Sequence, residues 1–127
     1  SSPVPMSDPD GEILKKMSQA LVGGGKIALS AFSAYFQLRF LEDNKDTFFA
    51  DHGVNHEHAT IRNASGDEKI LDLWTSCFTP RELRLMAKDA NLSVQSIWSV
   101  SPGKYRETPP THTQAEFLMI ATRENYA

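Results

Sequence analysis

The chain has 127 residues, with 13 Lys+Arg against 16 Asp+Glu and hydrophobic residues at 40%. That length suits one domain with a core of its own, and that composition excludes disorder and collagen. The charges are spread without runs, so neither a nucleic-acid groove nor a polybasic membrane patch is expected, and the apolar stretches are too short to span a bilayer.

A single cysteine, Cys77, excludes a disulfide framework within the chain and fits a reducing, cytoplasmic setting. Ser1-Ser2-Pro3-Val4-Pro5 has no basic region followed by an apolar one, the signature of a secretory leader. Position 1 is not Met, and the expectation is that the chain is a piece of a longer one.

Asp8 to Leu21 predicts a helix: Asp8 caps it, Pro9 takes the first helical position, and Ile13, Leu14, Met17 and Leu21 form its apolar stripe. Gly23-Gly24-Gly25 stops it. Lys26–Phe32 has little polar alternation and predicts a strand covered on both faces. Ala34 to Leu41 continues as a helix with Tyr35, Leu38 and Phe32 or Phe36 on its apolar side. Glu42 to Asn55 shows no clean period.

His56–Ile61 and Lys69–Thr75 predict a hairpin around Asn63-Ala64-Ser65-Gly66-Asp67, with Ile61, Ile70 and Trp74 as its apolar face. Thr79-Pro80-Arg81-Glu82 is a capping box, and a helix to about Ala90 follows, burying Leu83, Met86, Ala87 and Ala90. Asn91 can adopt the left-handed conformation that ends it. Ser93–Val100 alternates as a strand, Ser101–Gln114 is a loop, and Ala115–Thr122 is a last buried strand. A strand, a helix and a strand imply a right-handed parallel crossover, while the last two strands, joined without a helix, should be antiparallel.

Leu21-Val22-Gly23-Gly24-Gly25-Lys26-Ile27-Ala28-Leu29, then Cys77-Phe78-Thr79-Pro80-Arg81-Glu82-Leu83, then Ala90-Asn91-Leu92-Ser93-Val94, then Glu116-Phe117-Leu118-Met119-Ile120-Ala121-Thr122-Arg123 follow one another in a familiar order. Over roughly residues 8 to 123 they resemble the C-terminal half of class I S-adenosylmethionine-dependent methyltransferases. In that family the stretches are the L-x-P-G-G turn into strand five, the F-(T/S)-x-x-E-L helix start, the A-G-F/L turn into strand six, and strand seven. Val22 stands where the family often has Arg-Pro or Lys-Pro, and Asn91 replaces a common Gly.

The resemblance implies an α/β fold: strands five to seven of a Rossmann-like sheet, the last antiparallel, with a helix and β-hairpin insertion over residues 34–77 acting as a lid or acceptor-binding region. Residues 1–127 are then one partial domain. The family's cofactor turn after strand one and its acidic ribose ligand after strand two have no counterpart here, so S-adenosylmethionine is expected in the full-length parent and no cofactor in this fragment. Lys26–Phe32 would offer an unpaired edge to the missing N-terminal half or to a second copy in a dimer, and the substrate would be a small-molecule methyl acceptor.

Ligands of open parallel sheets sit beyond the carboxyl ends of the strands. That places Ser33, Tyr35 and Phe36 as substrate-binding candidates, with Tyr105 on the Pro-rich loop as another. His52, His56 and His58 are the polar constellation: solvated histidines on a loop rim, or a general base for the acceptor. His-x-x-x-His-x-His could also supply zinc ligands, but no helix pattern surrounds it and no acidic residue stands at an established spacing beyond Asp51 and Glu57, so no metal is expected. His112 reads as exposed, Cys77 as a small buried apolar group, and Trp74 and Trp98 as core area. A reading of another class stays open: a non-enzymatic α+β binding or oligomerisation module.

Overall fold

The computed structural model describes residues 9–41 and 46–124, with the side chain of Asp46 left aside. The elements in chain order are α1 (Pro9–Ala20), β1 (Lys26–Ser33), α2 (Ala34–Arg39), β2 (Asp46–Phe49), β3 (Val54–Arg62), β4 (Glu68–Phe78), α3 (Pro80–Asp89), β5 (Leu92–Val100) and β6 (Glu116–Arg123). The expected cap, Asp8, lies outside the described residues.

The six strands form one sheet in the order β2-β3-β4-β1-β6-β5. Strand β6 is antiparallel to both neighbours, pairing Lys26 with Thr122 through Phe32 with Glu116 on one side and Leu92 with Arg123 through Val100 with Glu116 on the other. Strands β1 and β5 therefore run the same way, as a crossover through α3 requires, with the reversed last strand between them. On its other side β1 meets β4 in parallel only at Phe32 with Cys77 and Ser33 with Phe78. Among the described residues, no strand pairs with the Lys26–Ala31 stretch of that edge.

The core lies on one side of the sheet. Leu29, Ala31, Phe117, Met119 and Ala121 point toward Leu14 of α1 and Leu83 and Ala87 of α3, and Leu92 and Ile97 close the far end. Helix α3 forms because Thr79 Oγ1 accepts from the Glu82 amide at 3.2 Å and Pro80 needs no partner; it ends where Asn91 takes φ 60°. Helix α1 ends at the glycine turn. Gly24 adopts φ 81°, and a Cβ on Gly25 would meet the Val22 carbonyl oxygen at 2.9 Å. The end of β6 ties this turn down: the Gly24 amide donates to the Arg123 carbonyl, the Arg123 amide to the Gly25 carbonyl, and the Arg123 guanidinium to the carbonyls of Gln19 and Leu21.

Five local expectations are corrected. Strand β1 is covered on one face only, because Ala28, Ser30 and Phe32 look away from both helices and are exposed. In α1 the buried stripe is Gly11, Leu14 and Ser18, while Ile13 and Met17 stay exposed beside the unpaired edge of β1. Helix α2 stops at Arg39, short of Leu41, and leaves Tyr35 and Leu38 exposed. In the hairpin, Ile70 pairs with Thr60 and Trp74 with His56, so Ile61, one register step away, falls on the opposite face, and Ile61 and Ile70 are both exposed. In β5 a bulge between Val94 and Ser96 inserts Gln95, so Leu92, Val94 and Ile97 share the core face against the strict alternation, and Trp98 is half-buried on the other.

The hairpin loop is built by Asn63, whose side-chain oxygen accepts from the amides of Ser65 and Asp67 at 3.0 Å each, with Gly66 at φ 86°. No helix among the described residues is long and apolar enough to cross a membrane.

Burial separates two neighbouring leucines of α3. Leu83 is 1% exposed and Leu85 60%. Leu83→Ala should cost about 2–5 kcal/mol in chemical denaturation, and Leu85→Ala should stay within about 0.5 kcal/mol.

Candidate functional site

The carboxyl ends of β1 and β5 lie at the same end of the sheet, because Phe32 and Val100 both pair with Glu116. Everything that follows those two strands projects from that end: α2 after β1, and the 101–115 loop after β5. Ser33 is buried and caps α2, its hydroxyl oxygen accepting from the Phe36 amide at 3.3 Å. Tyr35 is half-exposed, its ring edge-on to Phe117 at 6.4 Å, and Phe36 leans on Phe40 at 4.6 Å. Tyr105 stands exposed on the loop beside the turn that Ser101 and Lys104 close. Strand direction thus puts Ser33, Tyr35 and Phe36 at this end of the sheet, and the loop that carries Tyr105 leaves from the same end.

A concavity of about 580 Å³ opens there between the insertion and the start of α3. Its wall includes Ala34 and Leu38 of α2, Phe48, His52, Cys77 and Arg81. His52 sits in the turn between β2 and β3 with Nε2 3.5 Å from an Asp51 carboxylate oxygen. Gly53 makes this turn at φ 67°, 3.2 Å from the Cys77 carbonyl oxygen at its Cβ position, and that carbonyl's residue donates its amide back to Gly53. Cys77 is buried, its thiol donates to the Thr75 carbonyl at 3.6 Å, and burial pushes the thiol up to about 11. The position before a helix therefore does not activate it. At pH 8 its thiolate fraction leaves it about 100-fold slower toward a disulfide reagent in the native chain than in denaturant, a difference a thiol-release assay reads directly.

The other two histidines part from His52. His56 and His58 are two residues apart on β3 and share a face, and β4 sets Asp72 against them by pairing it with His58. One carboxylate oxygen of Asp72 lies 3.1 Å from His56 Nε2 and 2.8 Å from His58 Nδ1. The His56 ring is stacked on Trp74 at 4.1 Å and 10°, and Trp74 in turn on Phe49 at 5.8 Å. Sequence reasoning missed Asp72; a hairpin register summing to 130 would have found it, but the loop left that register open. His112 contributes nothing to the group.

The hydrogen bond from His56, followed by the charges of the two imidazoles, holds the Asp72 carboxyl below the usual carboxylate range. A depressed native value stabilises the fold above the ordinary carboxylate pKa, and that contribution is lost as pH falls through the native one. In a carboxyl NMR titration Asp72 should titrate below an exposed aspartate, and His56→Ala should move it back up.

The Gly23-Gly24-Gly25 turn directs two of its amides into the chain. It follows a helix and precedes a strand, and the amides of Gly24 and Gly25 donate to the carbonyls of Arg123 and Val22. Among the described residues, neither strand-to-helix junction, Ser33-Ala34 or Phe78-Thr79, contains a glycine.

Solved structures decide the architecture. The chain superimposes on the methyltransferase CcbJ from Streptomyces caelestis with a TM-score of 0.67 at 14% identity, over 87% of this chain and 51% of that one. An S-adenosylmethionine-dependent methyltransferase from Clostridium acetobutylicum ATCC 824 gives 0.64 at 13%, over 91% and 51%. The chain has the fold of the C-terminal half of an S-adenosylmethionine-dependent methyltransferase. It spans about half the length of the methyltransferase structures it matches. No protein-family model matches the chain, and no curated protein matches it by sequence. The methyltransferase fold accounts for the reversed β6 and the crossover through α3.

Proposed function

We propose that the chain is the C-terminal portion of a methyltransferase domain, contributing half of the sheet core and one wall of the methyl-acceptor pocket. The observation that carries this reading is the open flank of β1. The parallel strand β4 reaches only its last two residues, and Ile13, Met17 and Phe32 stand exposed beside the unpaired stretch. An apolar groove of about 180 Å³ runs along it between α1, β1 and α3. In a doubly wound sheet, that edge takes the next parallel strand and the bare face takes helices. The occupant is the N-terminal half of the domain, or a second copy pairing along Lys26–Ala31.

Methyl transfer asks the protein to hold acceptor and methyl group in line, to exclude water, and to take a proton where the acceptor must lose one. S-adenosylmethionine would supply the methyl group in the longer protein, bound by residues outside this chain. The insertion over residues 34–77 forms the acceptor wall with the 101–115 loop. Ala34, Leu38 and Phe48 line the concavity, Tyr35 and Phe36 of α2 and Tyr105 of the loop offer aromatic surface at the same end of the sheet, Ser33 positions α2, and His52 is the base that faces the concavity. The acceptor is a small molecule, as the size of that concavity suits.

Calorimetry tests the reading. S-adenosylmethionine should bind the longer native chain and give no heat of binding with the 127-residue chain. Tight binding by the 127-residue chain, or none by the longer chain, overturns it.

A further inference from the structure

The hairpin carries a feature that methyl transfer does not use. His56 and His58 project from one face of β3, Asp72 meets them from β4, and the three candidate donor atoms lie within 4.8 Å of one another. We propose that His56 Nε2, His58 Nδ1 and Asp72 form a binding site for a divalent transition cation of the Zn²⁺ class, with water in the fourth position.

Around tetrahedral zinc, donors about 2.0–2.1 Å from the metal stand roughly 3.3 Å from each other. Both nitrogen-to-carboxylate separations, 3.1 and 2.8 Å, already fall near that spacing. Only the two imidazoles must close on each other, and their ring centroids are 4.7 Å apart. Side-chain rotation supplies this without moving the backbone, because residues i and i+2 of a strand and the residue paired across from one of them share a face.

The donor set selects the metal. Two imidazole nitrogens and one carboxylate suit zinc and its first-row neighbours, whereas Mg²⁺ and Ca²⁺ demand oxygen donors. Stacking on Trp74 fixes the His56 ring and leaves its side chain 17% exposed, against 58% for His58, so one donor ring is held and the other, already against Asp72, has room to turn toward it. Each nitrogen that now points its proton at Asp72 must offer a lone pair instead. A neutral imidazole does so by shifting the proton to its other nitrogen, so charge and proton count balance on binding.

Zinc chloride titrated into the chain by calorimetry, followed by imidazole NMR, tests the site. One equivalent should bind in the micromolar range, shifting the His56 and His58 ring signals and leaving His112 in place. His56→Ala, His58→Ala and Asp72→Asn should each weaken binding more than about tenfold, with circular dichroism in metal-free buffer unchanged. The site is overturned if no zinc binds, if the shifted rings are His52 or His112, if the three variants bind undiminished, or if Mg²⁺ competes at equal concentration. The ring signals of the unmodified chain decide the matter even where a variant fails to fold.

Discussion

One strand holds this structure together. β6 lies between β1 and β5, bonded to both, and Phe117, Met119 and Ala121 along its inner face are fully buried. Those three side chains are the floor on which α1 and α3 pack. Its far end, Arg123, closes the glycine turn and takes up the last carbonyls of α1, so one residue couples the sheet to the helix stop. Reversing the last strand lets a 15-residue loop, instead of another helix, return the chain between β1 and β5.

The same arrangement leaves the sheet one-sided. Both helices that pack on it occupy one face, and the opposite face shows Ala28, Ser30 and Phe32 of β1 beside Leu118 and Ile120 of β6. A two-layer sheet-and-helix body can stand this way, but an apolar run with little alternation is what β1 would need if both faces were covered. The sequence of β1 fits a doubly covered sheet, and the described chain covers half of it. The insertion, for its part, does not hang free. It extends the sheet by three strands, and β4 hands its last two residues to β1 before α3 begins. Backbone pairing therefore joins the hairpin to the rest of the sheet.

Local signals were legible where short-range chemistry decides the outcome. The Thr79 cap, the left-handed stop at Asn91, the glycine turn and the Asn63 loop each depend on a few adjacent residues and appear as the sequence predicts. The apolar faces were less legible. Ile13 and Met17 have the right period and still face out, because period says which residues share a side and nothing about what lies there. The bulge in β5 reversed the second half of that strand, and one register step separated Ile61 from Trp74. Of the candidate site, the position of Ser33, Tyr35 and Phe36 at one end of the sheet was readable from strand direction. The partner of the two histidines was not, since Asp72 is 14 and 16 residues away and only strand pairing brings it near.

The sequence by itself determined the order of elements apart from β2, the stops of α1 and α3 and the likeness to the second half of a methyltransferase sheet, because caps, turns and hydrophobic runs act over a few residues. Only the tertiary structure decided which faces are bare, where β1 lacks a neighbour, and how two histidines and an aspartate meet. Those are properties of register and of packing between elements, and a single strand or helix does not contain them.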